Sequence, residues 1–505
     1  MKLEPWSPRA WGEVLAERAA ERPAAEAFVC LEARLNWRAL WQRAQARAGA
    51  LAALGIGPGD RVALCLPNGA AWIELFYGAS LLGAVTVPFN TRWKDTEIDY
   101  ALRQADIVAL IGVERFLSQD FAGMFGRLDR AGLPKLRHVL LDPDRVLGPP
   151  LAPRAIDPSR TGLIQYTSGT TAQPKGVMLS QDAMLRNAAN VAHRLGARAE
   201  DRYYSARPFY HVAGTTLSIL VALASGCTLL TAPVFEAEAA LETMAREACT
   251  LTSGNDTLFL AMMNHPRFAE YRLSLRGGWA AAGPEVMRQI HHRMGMRDLC
   301  FAYGLSEAAP NVVLSAHDDP LADRIAGLAR PHPGIELRIV AGEIRVRGWN
   351  LMQGYWAKPA ETRAAFDEEG FLRTGDLGAL DAQGRLRFIG RAKDVFRVGG
   401  ENVAPAEIEE VLHRHPAVKQ AQVVGVPDAR LGEVAAAYVV ANPGHAVTAD
   451  DLIAHCRAAC ANFRVPRYLR LVEGFEGIGM TGSAKVQKTK LRAQALVDFG
   501  LRDKG

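Results

Sequence analysis

The sequence predicts an α/β protein with two parts. A large N-terminal domain is built of parallel-rich α/β layers plus a β-barrel-like part, and a small α+β domain follows it. Three observations predict this fold. The chain of 505 residues is too long for one ordinary core. Its first half alternates amphipathic helices with short apolar strands, the pattern of parallel sheets with right-handed crossovers. After Gly390 a second, compact β/α pattern begins.

The alternation of strands and helices is clearest between residues 61 and 113. Arg61–Leu66 is a predicted strand that ends at a Pro-Asn-Gly turn, and the helix 71–82 that follows is lined by Ala, Leu and aromatic residues on one face. Further strands are predicted at 84–88, 107–113 and 139–141. These elements predict crossover units in the N-terminal domain.

One uncharged stretch, Gly214–Val234, is about long enough to span a bilayer. It contains several Thr and Ser residues, and Gly226 divides it. We therefore expect a buried helix at 215–224 and a buried strand at 227–232, with no membrane span.

The second half of the chain changes to hairpins and then to a compact unit. Hairpins are predicted around the turns at 341–342 and 381–384. The boundary is placed near Lys393-Asp394, which gives domains 1–393 and 394–505. The predicted elements after this boundary are helix 405–413, strands 418–425 and 435–440, and helix 449–460.

Charge and cysteine content exclude several classes of protein. The net charge of +5 is small for this length and the basic residues are scattered, so we expect no nucleic-acid partner. The N-terminus holds Glu4 and has no apolar core, so no signal peptide is predicted. Seven widely spread cysteines suit a reducing cytoplasm. Cys456 and Cys460 stand at helical spacing, where buried free thiols are favoured over a zinc site.

The most informative run lies between Tyr166 and Gly176 and combines hydroxyls, a glycine and one lysine. Backbone N–H groups and hydroxyls in such a loop can surround phosphate oxygens, and the lysine adds a positive charge. It is not a Walker A loop, because the second glycine is missing. A plain polar turn is the alternative. The candidate phosphate-binding residues are Thr167, Ser168, Gly169, Thr170, Thr171 and Lys175.

This run resembles the phosphate loop of the adenylate-forming superfamily, which includes acyl-CoA synthetases, peptide-synthetase adenylation domains and luciferases. Further motifs follow in the order of that family, so the resemblance covers nearly the whole chain. They are Tyr303-Gly-Leu-Ser-Glu307, Gly342-Glu-Ile-Arg-Val-Arg-Gly348 with Gly354-Tyr-Trp356, Thr374-Gly-Asp376, Gly390-Arg-Ala-Lys-Asp394, Gly399-Gly-Glu-Asn402 and Thr481-Gly-Ser-Ala-Lys485. The resemblance implies an acid–CoA ligase that uses ATP, Mg²⁺ and CoA.

The resemblance also implies residue roles in adenylate formation. Tyr303 would offer a flat face to adenine, and Asp376 could accept hydrogen bonds from both ribose hydroxyls. Glu307 would associate with Mg²⁺. Lys485 would be the catalytic lysine, balancing charge as carboxylate and phosphate meet; Lys175 and His211 complete the catalytic set. The other implied ATP or AMP contacts are Ala282, Gly283, Gly304, Ser306 and Arg391.

The second half-reaction is implied to use another arrangement. In the family the small C-terminal domain is mobile, and Asp394 matches its hinge. Gly399 and Gly400 would line the tunnel for the pantetheine of CoA, where a side chain would block the thiol. A β-turn before the following helix is the alternative role of these glycines.

The acyl pocket is expected to be apolar and bounded, which favours an aromatic or short-to-medium-chain acid. Ala302 stands where an arginine before Tyr303 could have met a second carboxylate. A polar substrate held through Asn255 or Asp256 is the alternative. The implied pocket residues are His211, Val212, Thr215, Asn255, Trp279 and Gly283.

Some positions depart from the family pattern. Ala172, Asp256, Ala281-Ala282 and Ala484 replace commoner residues, and the change at Ala484 leaves Lys488 as a rival of Lys485. Alternative functions are a stand-alone enzyme that loads a carrier protein, a non-catalytic nucleotide-binding relative and a light-emitting relative. A cytoplasmic location is expected, with small-molecule partners only, and the sequence leaves a homodimer open.

Overall fold

A computed structural model describes residues 3–167, 173–475, 477–480 and 486–502 of the chain. Two groups of predicted site residues lie outside the described residues. They are Ser168, Gly169, Thr170 and Thr171 of the phosphate loop, and Lys485.

The first sheet has eight strands and is parallel except at its two ends. Because neighbouring parallel strands end at the same edge, the segments after Tyr204, Asn255, Ala281 and Gly304 come together there. In spatial order the strands are Asn311–Leu314, Asp298–Gly304, Gly277–Ala281, Leu251–Asn255, Arg202–Tyr204, Thr228–Thr231, Glu26–Cys30 and Ala33–Asn36.

The second sheet has seven strands, with a parallel centre and an antiparallel edge. The antiparallel edge is the hairpin that carries the predicted phosphate loop. In spatial order the strands are Gly354–Tyr355, Lys175–Ser180, Thr161–Thr167, Val85–Pro88, Arg61–Cys65, Ile107–Gly112 and His138–Leu140.

The part predicted to be barrel-like is a five-stranded antiparallel sheet, the third sheet. Over the described residues its end strands do not pair with each other, so the sheet is open. Its strands are Leu328–Ala329, Leu386–Arg391, Leu372–Leu380, Glu343–Gly348 and Ile335–Val340. A two-stranded ribbon of Arg115–Phe116 and Gln119–Asp120 stands apart.

The smaller C-terminal domain is built on a fourth sheet. The antiparallel pair Val418–Asp428 and Gly432–Ala441 forms its centre, and Tyr468–Leu471 adds a parallel strand. Phe396–Val398 and Glu401–Val403 form a hairpin that also pairs with Gly432–Ala441, at its Gly432 end. The predicted helix after them is confirmed as Pro405–His413.

The α-helices cover the sheet faces and are amphipathic or wholly buried according to position. Their bounds are Trp11–Glu21, Trp37–Ala53, Ala70–Leu82, Asp95–Gln104, Phe121–Gly126, Gln181–Arg194, Val212–Gly214, Val221–Ser225, Ala237–Arg246, Asp256–Met263, Pro284–Arg293, Leu321–Ile325, Pro359–Ala365, Pro405–His413, Ala449–Ala459 and Lys488–Asp498. Short 3₁₀ turns and one π-helix complete the set, at Pro143–Arg145, Thr215–Leu220, Phe268–Glu270, Ser306–Ala308, Ala392–Asp394 and Asn462–Arg464.

The apolar cores follow these layers. The largest cluster fills the space between the first and second sheets, and the opposite face of the first sheet shares a cluster with the third sheet. The C-terminal domain has a cluster of its own, as an independently packed unit does. The buried stretch predicted at 215–224 is the π-helix Thr215–Leu220 followed by helix Val221–Ser225. No helix in the described ranges combines the length and apolar character that crossing a membrane requires.

Candidate active site

The phosphate loop is held by a hairpin of the second sheet. Thr167 ends one strand, Lys175 begins the next, and the two residues are partners in the antiparallel ladder. The ladder fixes the positions of both ends of the loop. Thr167 and Lys175 therefore lie side by side at the two ends of the loop.

Lys175, Tyr355 and Glu307 form a cluster beside this loop. The short strand Gly354–Tyr355 pairs with the strand of Lys175, so the Lys175 Nζ lies 4.9 Å from the centre of the Tyr355 ring. The Tyr355 hydroxyl donates a hydrogen bond of 3.0 Å to Glu307 Oε1. A cation over an aromatic face and a phenol on a carboxylate together place one positive and one negative group at the loop.

Glu307 lies in a 3₁₀ turn just after the strand Asp298–Gly304. Partial burial raises the pKa of the Glu307 carboxyl, while the hydrogen bond from Tyr355 opposes this rise. A protein site for Mg²⁺ needs only one or two carboxylates when substrate phosphates supply other oxygens. The carboxylate of Glu307 therefore fits the Mg²⁺ that the family implies.

A second cluster joins Tyr303, Asp376 and Arg391. The Tyr303 hydroxyl donates to Asp376 Oδ2 at 2.9 Å, and Arg391 Nε lies 3.5 Å from Asp376 Oδ1. Burial, and then the Asp376 charge, raises the pKa of Tyr303 well above its usual 10.0, so the phenol keeps its proton. Asp376 and Arg391 are partners in the third sheet. The charges of Asp376 and Arg391 also act on Glu307, so the two clusters belong to one site.

Phe388 belongs to this cluster although the sequence did not indicate it. Its ring stacks on Tyr303 with centroids 5.2 Å apart and an interplanar angle of 28°. One face of Tyr303 is therefore covered, and only the other could meet adenine. Phe388 keeps 36% of its surface exposed, so its ring is open to solvent beside Tyr303. An exposed apolar ring beside a buried carboxylate is suited to a base or a sugar.

The remaining predicted nucleotide contacts lie at the carboxyl edge of the first sheet. A Cβ on Gly304 would stand 2.0 Å from the Pro310 carbonyl oxygen, so glycine is needed there for close backbone approach. Ser306 begins the 3₁₀ turn of Glu307. Ala282 and Gly283 follow the strand Gly277–Ala281, and Gly283 is the N-cap of the next helix.

The C-terminal domain touches this edge through Glu410. Its Oε1 accepts a hydrogen bond of 2.9 Å from the Glu285 backbone N–H, at the start of helix Pro284–Arg293. A Cβ on Gly283 would stand 2.7 Å from Glu410 Oε2. The helix Pro405–His413 is therefore docked against Gly283 and Glu285.

The predicted acyl-pocket residues have mostly structural contacts. The His211 Nδ1 accepts from the Ala213 backbone N–H at 3.2 Å. Asn255 Oδ1 caps helix Asp256–Met263 through the Leu258 N–H at 3.1 Å. Buried Thr215 donates to the carbonyl of Val212, which itself is fully buried in the core. Trp279 is buried and carries the guanidinium of Arg207 over its ring.

The predicted CoA and hinge residues lie at the join of the two parts. Gly399 and Gly400 have φ of +59° and +97° and form the turn of the hairpin Phe396–Val398 and Glu401–Val403. The β-turn of the alternative interpretation is present, and the strand Glu401–Val403 lies between it and the helix Pro405–His413. Asp394 closes the 3₁₀ turn between the last strand of the third sheet and the first of the fourth.

Lys488, the rival of Lys485, begins helix Lys488–Asp498 and faces its own domain. Its Nζ pairs with Glu409 Oε1 and donates to the Val423 carbonyl at 2.8 Å. These contacts tie the last helix to the fourth sheet. Lys488 therefore stabilises the packing of the C-terminal domain.

Three site residues were missed by sequence reasoning. Tyr355 stood within the Gly354-Tyr-Trp356 motif without a role, and its proximity to Lys175 follows only from strand pairing. Phe388 lies three residues before Arg391 in the same strand, which was the one available indication. Glu410 lies within the helix predicted at 405–413, and its contact with the N-terminal domain follows only from the packing of that helix.

With this geometry in place, comparison with known proteins defines the class. The AMP-binding enzyme family matches residues 15–356, and the AMP-binding enzyme C-terminal domain matches residues 407–485. The chain belongs to the AMP-binding enzyme family, so the resemblance drawn from its motifs is confirmed.

Individual relatives span most of the chain. The medium-chain acyl-CoA ligase ACSF2 of Rattus norvegicus, described as mitochondrial, is 32% identical and covers 96% of this chain and 87% of its own. The Mycobacterium tuberculosis 3-[(3aS,4S,7aS)-7a-methyl-1,5-dioxo-octahydro-1H-inden-4-yl]propanoyl:CoA ligase is 36% identical, covering 88% of this chain and 91% of its own. The crystal structure of the anthranilate CoA ligase AuaEII with anthranoyl-AMP has the same fold, with a TM-score of 0.90, 24% identity and coverage of 99% and 100%.

Proposed function

We propose that this chain is an ATP-dependent carboxylic acid–CoA ligase. A carboxylate oxygen attacks the α-phosphorus of ATP, the bond to the β-phosphate breaks and pyrophosphate leaves. The CoA sulfur then attacks the acyl carbon of the adenylate, its proton is lost and AMP leaves. The observation that carries the proposal is the meeting of two polar clusters, around Glu307 and Asp376, beside the phosphate loop. Acyl-CoA ligases among the relatives that span nearly the whole chain support the same reaction.

The proposed adenylation step relies on positioning and fixed charge. Lys175 and Thr167 hold the outer phosphates at the end of the hairpin. Asp376 accepts the ribose hydroxyls, Arg391 lies on its other side, and the free face of Tyr303 meets adenine. Lys485 approaches the reacting carboxyl as charge accumulates.

Glu307 would hold Mg²⁺ together with phosphate oxygens, and the ion would neutralise the leaving pyrophosphate. The Tyr355 hydroxyl keeps the Glu307 carboxylate oriented and lowers its pKa. The two residues therefore act together in making the anionic form available.

Replacing Tyr355 with phenylalanine tests this link between Tyr355 and Glu307. Without the phenol the pKa of Glu307 rises further, so more of the carboxyl is protonated at mildly acidic pH. We expect the acid limb of kcat/KM for ATP to move to higher pH, with little change on its alkaline side. The measurement is AMP release across pH with saturating acid and CoA. Glu307→Gln is the control, because it lacks the titrating carboxyl group. If the acid limb of kcat/KM for ATP is the same in Tyr355→Phe as in wild type, Tyr355 does not control the pKa of Glu307.

The thioester step is proposed to need a second pose of the C-terminal domain, with residues 394–505 turning about Asp394. Glycines at positive φ in the Gly399-Gly400 turn leave room for pantetheine. In the pose of this structure, the helix Pro405–His413 contacts the backbone of Glu285 through Glu410. Rotation would have to break that contact.

Asp394→Pro should separate the two half-reactions. Proline fixes φ near −65° and removes the backbone donor, so the hinge can no longer take two backbone states. We expect one half-reaction to slow by about tenfold or more while the other stays near wild type. Pyrophosphate exchange measures the first, and thioester formation from synthetic acyl-adenylate measures the second. Asp394→Ala removes only the side chain and should leave both half-reactions near the wild-type rate. If Asp394→Pro also keeps both half-reactions near the wild-type rate, the hinge assignment is refuted.

The substrate is proposed to be an aromatic or short-to-medium-chain acid that enters near His211 and Trp279. A screen of carboxylic acids with ATP, Mg²⁺ and either CoA or a holo-carrier protein tests the function, with AMP release as readout. Thioester with CoA supports the proposal. Loading of the carrier alone favours the carrier-loading alternative, and no AMP release or pyrophosphate exchange with any acid favours a non-catalytic relative.

A further inference from the structure

Arg207 is a half-buried arginine that forms no ion pair within the described residues. Its Nε and Nη2 atoms are buried and have no hydrogen-bond partner. Its guanidinium carbon stands 4.1 Å from the centre of the Trp279 ring. Burial lowers the pKa of Arg207 to about 10, so the group is still cationic at neutral pH. A buried cation that lacks an acceptor is unfavourable unless something else supplies one.

Two arginines that are more deeply buried than Arg207 are engaged by partners within the fold. Arg47 pairs with Glu74 and donates to two backbone carbonyls. Arg324 donates to the carbonyls of three residues. Over the described residues, Arg207 is the arginine with two buried nitrogens left unpaired. Arg186 and Arg464 each leave a single buried Nε unpaired, whereas Arg207 leaves both Nε and Nη2, the pair of donors that a carboxylate or carbonyl can bridge. This pair of donors points to an acceptor from outside the chain.

The surroundings of Arg207 place that acceptor in the acyl region. Trp279 belongs to the first sheet and faces the core between the first two sheets. The neighbouring Tyr203 hydroxyl donates to the Leu217 carbonyl at 2.9 Å and lies 2.6 Å from Ser253 Oγ. The Tyr203 hydroxyl is therefore hydrogen-bonded to Ser253 and to the backbone, and it accepts no hydrogen bond from Nε or Nη2 of Arg207. His211, at the border of the proposed acyl pocket, follows four residues later in the chain.

We propose that the acid activated by this enzyme carries a second oxygen acceptor, a carboxylate or a carbonyl, which binds Nε and Nη2 of Arg207. This inference rests on the proposed function and narrows its substrate. The carbon skeleton lies against Trp279, while the reacting carboxyl remains at the nucleotide. A carboxylate would also neutralise the guanidinium charge; a ketone would satisfy its donors only. Arg207 is thus a specificity-determining residue, at a position different from that of Ala302, where the sequence offers a second carboxylate no partner.

Matched acids test the proposal. Glutarate, 5-oxohexanoate and 5-methylhexanoate share one shape and end in a carboxylate, a ketone and an apolar group; terephthalate, 4-acetylbenzoate and 4-isopropylbenzoate form the aromatic set. In at least one set we expect kcat/KM for an acceptor-bearing acid to exceed that for the apolar acid by about tenfold to a hundredfold. Preference for the dicarboxylate or for the ketone distinguishes the two sources of oxygen.

Arg207→Met should remove this preference by lowering kcat/KM for the acceptor-bearing acids while the apolar acids keep or gain activity. Arg207→Lys should keep part of the preference for acceptor-bearing acids. Because Met removes an unpaired buried charge, the melting temperature should stay equal or rise. Arg186→Met is the control, since Arg186 also stacks on a tryptophan, Trp349, away from this region; its preference should match wild type.

The outcomes separate this inference from the proposed function. Activity with apolar acids equal to that with acceptor-bearing acids in both sets, or an unchanged ratio in Arg207→Met, overturns the role of Arg207 and leaves the ligase in place. Wild-type protein that activates none of these acids, and none in the wider screen, overturns both.

Discussion

Replacing Lys485 with alanine should slow adenylate formation by about a hundredfold to a thousandfold. The transfer of the acyl group from a pre-made adenylate to CoA should continue near the wild-type rate. The reason is electrostatic: a carboxylate and a phosphate must approach each other, and a lysine that meets them only during reaction stabilises the transition state more than the bound substrates. Pyrophosphate exchange and thioester formation from synthetic acyl-adenylate measure the two steps separately.

Lys488→Ala is the matched control for this prediction. Lys488 is bound to Glu409 and to the Val423 carbonyl inside the C-terminal domain, so its loss should lower the melting temperature. Glu409 would keep the Val423 backbone N–H as a donor at 2.7 Å, which limits the damage. The ratio of the rate of adenylate formation to the rate of thioester formation should stay as in wild type. Equal loss of both steps in Lys485→Ala, or a selective loss of adenylation in Lys488→Ala, would reverse the assignment.

Much of the fold could be predicted because apolar runs in this chain end at Gly, Pro or Asn. The helix expected at 71–82 is Ala70–Leu82, and the strand expected at 107–113 is Ile107–Gly112. The type of each element is determined by the periodicity of its apolar residues, and its end is determined by the Gly, Pro or Asn residues that follow. The C-terminal elements followed the same rule.

The order of strands in the sheets could not be predicted. Glu26–Cys30 lies beside Thr228–Thr231, and Gly354–Tyr355 lies beside Lys175–Ser180. These pairs are far apart in sequence, and side-chain alternation says which face is buried without saying which strand is adjacent. The contact of Lys175 with Tyr355 depends on such a pairing, which is why the motif of Tyr355 was noted without a role.

The site was predicted where a motif carries its chemistry in one segment, and missed where partners come from different layers. Asp376 and Arg391 were both named, yet the hydrogen bond from Tyr303 to Asp376 joins the first sheet to the third. Arg207 in the sequence is only a charged residue before a proline. Its unpaired state is a property of what packs around it, and a sequence does not record the absence of a partner.

Asp376→Ala should weaken ATP binding by about a hundredfold or more, because each hydrogen bond from a hydroxyl to a charged carboxylate is worth about 1.5–3 kcal/mol. In wild type, 2′,3′-dideoxy-ATP should bind more weakly than ATP by a similar factor, since it lacks both donors. In Asp376→Ala the two nucleotides should bind alike. Titration calorimetry with each nucleotide measures the four affinities and gives the coupling directly.

A second variant decides whether Asp376 acts on the ribose or through Tyr303. Tyr303→Phe removes the phenol that donates to Asp376 and keeps the ring stacked on Phe388. It should leave the preference for ATP over the dideoxy analogue intact, with a small loss of affinity for both. If Tyr303→Phe abolishes that preference as fully as Asp376→Ala does, the carboxylate serves to position the aromatic ring and the ribose contact is wrong. If Asp376→Ala still discriminates the two nucleotides, the sugar is recognised elsewhere, and Arg391 becomes the residue to replace next.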